Sequence, residues 1–299
     1  MFSNHLIGKE ISLESLATFP ENLIEGNHLK DENYKHIGEC KCHFLFDRNR
    51  TNDKVPNGYK STLDFFESIS AQYIIKNFDM RSMSKINIVS FGSGKLLREL
   101  IILAKVLREL QLIHPSSIPE IELHAVDRIY EKPTGESSYW TRSNGYCVPM
   151  EFNKLIRTLN LNINLTTYSS IEEYNNKITD QSINPPHVIL SIDFDHAFDF
   201  GFPTHQKNLM SEEYTQEYML KSTKQLAANN SLLLTLTNIE AGDGIFLIFQ
   251  SKENDVWQRN WIHTISSKTN MDIGPSPIIQ GILEKGKQIN SNSMLTKLM

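Results

Sequence analysis

The sequence has little cysteine, no long apolar run and no excess of basic residues. Its 299 residues include only three cysteines, Cys40, Cys42 and Cys147, which is too few for a disulfide framework and favours a reducing, cytoplasmic location. No apolar run approaches the roughly 20 residues that a membrane span needs, and the start MFSNHLIGKE predicts no secretory signal. The formal net charge of -5 argues against general nucleic-acid binding.

Beyond a polar, weakly periodic stretch at residues 1–58, helical and strand periodicities alternate along the chain. We therefore expect an N-terminal extension, 1–58, packed on the core of a domain that spans 59–299. The apolar spacing predicts helices at 61–77, 95–112, 151–159, 171–179 and 212–228. Short runs rich in β-branched residues predict strands at 85–91, 121–127, 162–168, 187–193 and 231–238. The segment 245–250 is typical of a strand, whereas 257–265 and 278–283 fit either a strand or a helix.

This alternation of strands and helices predicts an α/β protein. Parallel strands need crossover connections, and right-handed crossovers place helices on both faces of the sheet. The expected fold is a Rossmann-like, doubly wound, mostly parallel sheet of about six to seven strands. In such a sheet, ligands bind at the carboxyl ends of the strands, where the strand order reverses.

The turn Gly92-Ser93-Gly94 joins the first predicted strand to the first crossover helix. Glycine tolerates unusual backbone angles and lets a ligand approach the backbone closely, and a helix start offers free N–H groups to an anion. Asp127 ends the next predicted strand, where a carboxylate can accept hydrogen bonds from both hydroxyls of a ribose. We expect a nucleotide-like ligand here, with Asp127 a surface acid whose loss leaves the fold intact. The alternative is a tight turn that serves packing only.

Two other glycine motifs are excluded by the residues that follow and precede this turn. A dinucleotide fingerprint G-x-G-x-x-G would need glycine at position 97, which is Leu97. A P-loop would need glycine at position 89 and Ser or Thr after the lysine, and the chain has Val89 and Leu96 there.

The strand–GxG–helix–strand–Asp arrangement resembles the class I S-adenosylmethionine-dependent methyltransferases. The stretches that carry the resemblance are VSFGSGKLLREL (89–100) and IELHAVDRIY (121–130), with VILSIDFD (188–195) as a looser match. The chain departs from the family pattern in having Ser90 where an acid is frequent and Leu96 where a third glycine is common. The resemblance implies S-adenosylmethionine as the cofactor and methyl transfer to an unidentified acceptor. It also implies cofactor contacts from Ser90, Gly92, Ser93, Gly94, Asp127 and Ser169.

The segment SIDFDHAFDFGFP, residues 191–203, follows the fourth predicted strand and combines acids, a histidine and phenylalanines. A carboxylate or imidazole there can take a proton from an oxygen or nitrogen nucleophile, so Asp193 and His196 are the expected catalytic residues. Metal on Asp193 and Asp195 is a weaker alternative, and we predict no metal site.

Three further expectations concern the remaining cysteines, the helix charges and the rival functions. Zinc held by Cys40, Cys42, His43 and Cys147 is disfavoured, because the C-x-C-H spacing is tighter than usual and Cys147 is distant. The pairs Arg98-Glu99 and Arg108-Glu109 are expected on a solvated helix face. The rival functions are a non-catalytic binding protein on the same fold and an enzyme that uses another nucleotide cofactor.

Overall fold

The computed structural model describes residues 34–38, 62–78, 83–113, 118–130, 145–192, 216–238 and 245–264. The helices of these residues are α1 (Thr62–Asn77), α2 (Leu97–Ile113), α3 (Val148–Thr158), α4 (Ile171–Thr179) and α5 (Gln216–Leu226). The strands are β1 (Lys85–Phe91), β2 (Glu120–Val126), β3 (Ile163–Tyr168), β4 (Val188–Ile192), β5 (Leu232–Asn238), β6 (Ile245–Glu253) and β7 (Val256–Thr264). Two 3₁₀ turns, Arg128–Tyr130 and Gly145–Cys147, lie between β2 and α3.

The strands form one sheet in the order β3-β2-β1-β4-β5-β6-β7. Pairing is parallel from β3 to β5 and antiparallel between β5 and β6 and between β6 and β7. The chain moves outward from β1 through β2 to β3 and then returns to place β4 on the other side of β1. The strand order therefore reverses between β1 and β4, and a ligand cleft is expected at the carboxyl ends of these two strands.

The sheet buries both of its faces, because successive side chains of a strand point to opposite sides. Ile86 and Ile88 of β1 belong to a core that includes buried residues of α1, α2 and α3. Val89 and Phe91 belong to a second core, which includes buried residues of α4 and α5. Helices on both faces of a mostly parallel, seven-stranded sheet confirm the predicted Rossmann-like α/β fold.

The segment 257–265, which fits either a strand or a helix by its sequence, lies almost entirely in strand β7. A two-residue turn, Asn254 and Asp255, links β6 to β7, and its φ angles of 49° and 64° are both positive. Asn and Asp tolerate this conformation better than most residues, and two positive φ angles are typical of the type I′ turns that join hairpin strands. The turn thus favours the antiparallel pairing in which Glu253 lies opposite Val256.

Several predicted boundaries and segments lie outside the residues that the structure describes. The proposed junction between residues 58 and 59, the segment 278–283 and the predicted start of the fifth helix at 212 lie outside the described residues, and they stay predictions. Residues 34–38 of the expected extension are described, and Tyr34 and Ile37 are buried in the first core. Among the described residues, no helix is both long and apolar enough to cross a lipid bilayer.

Candidate functional site

The glycine turn leaves β1 at its carboxyl end, beside the point where the strand order reverses. Gly92 and Gly94 have φ angles of +63° and +53°, a left-handed conformation that glycine adopts at little steric cost. The Gly92 N–H donates to the Val126 carbonyl at 3.0 Å, which extends the β1–β2 pairing into the turn. The two glycines are therefore required by the backbone angles of the turn.

Leu96, where the family pattern often has a third glycine, also has a left-handed backbone, with φ at 64°. This conformation costs a residue with a side chain on the order of 1–2 kcal/mol. The Leu96 side chain is fully buried in the core, and burial of a leucine contributes roughly 1.5–3 kcal/mol. The turn thus keeps the glycine-like backbone, and apolar packing offsets its strain.

The Asp127 carboxylate reaches the turn from the end of β2. Its Oδ2 accepts a hydrogen bond from the Gly94 N–H at 2.8 Å, and its Oδ1 accepts one from the Ile129 N–H at 3.0 Å. Burial raises the pKa of Asp127, although these two N–H donors and Arg128 oppose the rise. The structure brings Gly94 and Asp127 together, as the sequence predicts. Each carboxylate oxygen keeps a further lone pair that can accept a ligand hydroxyl.

Tyr130 crosses the turn from the other side. Its hydroxyl donates to the Gly94 carbonyl at 2.9 Å and lies 2.9 Å from Ser93 Oγ. Because a phenol has one proton, the Ser93 hydroxyl is the donor in the second bond. Burial and the nearby Asp127 charge raise the pKa of Tyr130 well above its usual value, so the phenol stays neutral. Sequence reasoning did not single out this residue.

Ser90 contacts a buried carboxylate beneath the turn. The Ser90 hydroxyl donates to Glu99 Oε1 at 2.7 Å, and Ser90 and Glu99 are 0% and 2% exposed. Glu99 therefore brings an acid from the first turn of α2 to the place where the family pattern often has one at position 90. This geometry makes Ser90 a partner of Glu99 in the core.

The prediction that Arg98 and Glu99 lie on a solvated helix face is wrong, since both residues are buried. The apolar run LIILA at 100–104 is the signal that could have corrected it. Five consecutive apolar residues cover the whole circumference of a helix, and such a helix is buried on all sides. The charged residues in the turn before this run are therefore enclosed with it.

Glu99→Gln is expected to change how stability depends on pH. Burial, with a smaller contribution from Asp127, raises the pKa of Glu99 from 4.5 to about 7 against the effects of Ser90, the helix backbone and Arg98. Between these values the folded protein holds a proton that the unfolded chain has lost, so stability falls as pH rises through this window. The loss amounts to about 3 kcal/mol, and glutamine cannot ionise. The variant should therefore unfold at a higher urea concentration than wild type at pH 8.

The same comparison at pH 5 is expected to show a much smaller difference, because Glu99 is then mostly protonated in the folded protein. Glu109→Gln, on the same helix and partly exposed, controls for the loss of one negative charge. Urea denaturation of wild type, Glu99→Gln and Glu109→Gln at both pH values measures these differences in stability. Equal pH dependence in Glu99→Gln and wild type would contradict a buried, proton-holding Glu99.

Ser169 lies at the carboxyl end of β3, beside the backbone of Asp127. The Asp127 N–H donates to the carbonyl of Tyr168 at 3.0 Å, the residue before Ser169. The Ser169 N–H and hydroxyl both bond to Glu173 Oε2, at 2.9 and 3.1 Å, and Ser170 caps α4 by accepting from the Glu173 N–H. Ser169 therefore lies at the predicted edge of the sheet, where its hydroxyl is engaged by the first turn of α4. Its contact with the cofactor stays a prediction.

Asp193 and His196 follow β4 directly and lie outside the described residues, so their catalytic role stays a prediction. In β4, Ser191 lies opposite Phe91 of β1, and the strand ends one residue later at Ile192. Of the proposed zinc ligands only Cys147 is described, with a free thiol. Within the described part of the chain, no group of three or more His, Cys, Asp or Glu side chains is placed to hold a metal ion.

Gly145 packs against Ile129 in the turn that follows Asp127, and this packing leaves no room for a side chain. A Cβ atom there would lie 2.5 Å from both the Cβ and the carbonyl oxygen of Ile129. Gly145→Ala is therefore expected to lower the free energy of unfolding by about 1–3 kcal/mol, as other overpacking substitutions do. Gly38→Ala is the control, because the one described atom near a Cβ there, outside the neighbouring residues, is Lys95 Cδ at 3.8 Å. Chemical denaturation that finds the two variants equally stable would contradict the close packing.

Comparison with known proteins gives structural matches only. No family model matches the chain, and no curated protein sequence is similar to it. One matching structure is described as a protein-L-isoaspartate O-methyltransferase from Plasmodium falciparum in complex with S-adenosyl-L-homocysteine (12% identity, TM-score 0.35, covering 81% of this chain and 92% of that one). Another is described as a class I S-adenosylmethionine-dependent methyltransferase from Listeria monocytogenes (12%, TM-score 0.35, covering 76% and 55%).

A third match, a protein-L-isoaspartate O-methyltransferase, is 8% identical with a TM-score of 0.35, covering 87% of this chain and 67% of that one. At such identities and TM-scores the likeness concerns the fold, and it says nothing about the acceptor or the residues of the site. One of these structures is thus described by the name of the family that the sequence resembles, and the other two are described as methyltransferases.

Proposed function

We propose that the protein binds S-adenosylmethionine at the Gly92–Gly94 turn and transfers its methyl group to an acceptor. The observation that carries the proposal is the joining of Gly94 and Asp127 by a 2.8 Å hydrogen bond where the strand order reverses. The acceptor is unidentified, and the cytoplasmic location expected from the few cysteines stays a prediction.

The residues of the turn fit such a cofactor. Among the described residues other than its chain neighbours, a Cβ at Gly94 would meet only the Gly92 carbonyl oxygen, at 3.9 Å, so a ligand has room to approach the backbone. Asp127 retains lone pairs for ribose hydroxyls, and Ser169 lies at the adjoining strand end, where the adenine is expected. Gly92, Gly94 and Asp127 would therefore hold the adenosyl and amino-acid parts of the cofactor.

In methyl transfer, the main task of the protein is to orient the acceptor relative to the methyl group. The cofactor supplies a methyl group on a positively charged sulfur; the carbon–sulfur bond breaks as the acceptor atom forms a bond to that carbon. The chain has to hold the acceptor in line with the methyl group, which can provide much of the rate enhancement. Asp193 or His196 would take the proton that an oxygen or nitrogen acceptor loses.

Titration calorimetry tests the binding step. We expect S-adenosylmethionine and S-adenosylhomocysteine to bind to the full chain, and ATP and NAD, which separate this proposal from other nucleotide cofactors, to bind far more weakly. Absence of binding by both adenosyl ligands would remove the proposed function. A screen with labelled S-adenosylmethionine against proteins, nucleic acids and small molecules then searches for the acceptor.

A second candidate is a binding protein on the same fold that transfers no methyl group. The Tyr130 hydroxyl bonds to Ser93 and to the Gly94 carbonyl, and a turn fixed in this way would serve a binding protein as well as an enzyme. Tight binding of S-adenosylmethionine without methyl transfer to any acceptor in the screen would favour this candidate. Transfer that is lost in Asp193→Asn or His196→Ala while cofactor affinity is retained would favour the enzyme.

A further inference from the structure

Residues 34–38, here called the strap, bind to the glycine turn through their last residue. The Gly38 N–H donates to the Lys95 carbonyl at 3.2 Å, and the Gly38 carbonyl accepts the Leu97 N–H at 3.3 Å. These bonds make Gly38 a short parallel partner of Leu96. The strap thus contacts the backbone directly after Gly94 and accepts one of the N–H groups that begin α2.

The other residues of the strap are anchored on α3. The His36 N–H donates to Glu151 Oε2 at 2.7 Å, and His36 Nδ1 lies 2.5 Å from Glu151 Oε1. Glu151 is 6% exposed, so its carboxylate is enclosed together with both contacts. Tyr34 and Ile37 are buried on either side of His36, and the Tyr34 hydroxyl lies 3.1 Å from Thr158 Oγ1. The strap is therefore fixed to α3 through Tyr34 and His36.

The turn is consequently held from two independent directions. Asp127 holds the Gly94 N–H from the end of β2, and Gly38 holds Lys95 and Leu97 from the strap. Leu96 lies between Lys95 and Leu97, and its left-handed φ of 64° is strained for a leucine. A strained backbone persists only where its surroundings hold it in place, and Gly38 bonds to the residues on both sides of Leu96.

We propose that His36 and Gly38 of the strap are positioning residues of the cofactor site: Glu151 orients His36, and Gly38 holds the glycine turn in the shape that binds the ligand. The proposal rests on the proposed function for the identity of that ligand. A turn that is already fixed loses less conformational freedom on binding, and this raises affinity. These residues of the predicted extension are therefore part of the site and take no part in the chemistry itself.

The test compares Glu151→Gln with Tyr34→Phe in the full chain. Glutamine keeps the size of Glu151, and its oxygen can still accept from the His36 N–H, but it carries no charge, so the contact with His36 Nδ1 loses its charge assistance. Tyr34→Phe removes only the hydroxyl contact at the far end of the strap. Hydrogen exchange of residues 92–97 reports on the turn, with the Leu97 amide as the most direct probe because Gly38 is its acceptor. Calorimetry with S-adenosylhomocysteine reports on binding.

We expect Glu151→Gln to speed exchange of the Leu97 amide while β1 and β4 exchange as in wild type, and to weaken S-adenosylhomocysteine binding about tenfold, the effect of losing one charge-assisted hydrogen bond. Tyr34→Phe should leave both measurements close to wild type. Unchanged exchange at Leu97 would overturn the proposal, as would faster exchange with unchanged affinity, since the strap would then be structural only.

A second pair of variants covers the case in which Glu151→Gln fails to fold. Gly38→Ala keeps the backbone N–H and has room for its Cβ, whereas Gly38→Pro lacks the N–H that bonds to Lys95. We expect faster Leu97 exchange and weaker binding in the proline variant than in the alanine variant, and equal behaviour of the two would overturn the proposal. If wild type binds no S-adenosylhomocysteine, the proposed function fails, while the exchange comparison still decides whether the strap holds the turn.

Discussion

Asp127→Ala is expected to remove S-adenosylhomocysteine binding and to lower the free energy of unfolding together. The Gly94 and Ile129 N–H groups lose their acceptor, and each unsatisfied buried donor costs about 1–3 kcal/mol. A ligand hydroxyl would lose a charge-assisted hydrogen bond worth roughly 1.5–3 kcal/mol. Two such bonds correspond to a loss of affinity of at least about a hundredfold, so calorimetry should find little or no binding.

Asp127→Asn separates the two roles of this residue. The amide keeps one oxygen for the Gly94 or the Ile129 N–H, while its nitrogen cannot accept from the other. We expect a smaller loss of stability than in Asp127→Ala, with most of the loss of affinity retained. Unchanged affinity in a folded Asp127→Asn protein would remove Asp127 from the site, and unchanged stability in Asp127→Ala would contradict its contacts with the turn.

These contacts give Asp127 a structural role beside the ligand contact that the sequence predicts. The sequence places Asp127 at a strand end, which is where it lies, but a position along a strand does not say where a carboxylate is directed. The Ile129 N–H reaches the carboxylate because the Arg128–Tyr130 turn bends the chain back, whereas the Gly94 N–H comes from the turn after β1. The bond from Gly94 joins distant parts of the chain, which no local pattern records.

The sequence predicted correctly those strands whose own residues favour a strand. The runs KINIVSF and IELHAV are short, apolar and rich in β-branched residues, and they form β1 and most of β2. The segment 257–265 was ambiguous because its apolar residues fit both periods, and its strand form depends on pairing with β6. The two-residue Asn254-Asp255 turn was the available signal.

The sequence predicted the site residues that are glycines or that end a strand. It did not predict those whose position depends on packing in the core. Gly92, Gly94 and Asp127 were expected to contact one cofactor; Gly94 and Asp127 lie in contact with each other, and their contacts with the cofactor stay predictions. Glu99 was missed because a charged residue in an amphipathic helix is ordinarily solvated. Leu96 was counted as a departure from the glycine pattern, although its backbone keeps the glycine-like angle. Amino-acid identity alone does not reveal a φ angle that buried packing maintains.

Gly94→Val is expected to eliminate S-adenosylhomocysteine binding even where the protein still folds. At a φ of +53° a β-branched residue is a severe outlier, so we expect a loss of about 2 kcal/mol or more in stability. The γ-methyl groups would also occupy the space beside the Gly94 backbone, where, among the described residues other than its chain neighbours, only the Gly92 carbonyl oxygen lies within 4 Å of a Cβ. A ligand that needs this backbone surface would then be excluded.

Gly94→Ala is the matched control for this variant, because it carries the backbone strain without the branched side chain. We expect it to lose about 1 kcal/mol of stability and to bind S-adenosylhomocysteine weakly but measurably. Thermal denaturation and calorimetry on both proteins separate strain from blocked access. If the valine variant is folded and binds as well as the alanine variant, the ligand does not approach the turn at Gly94. If both variants bind as tightly as wild type, the turn serves packing only.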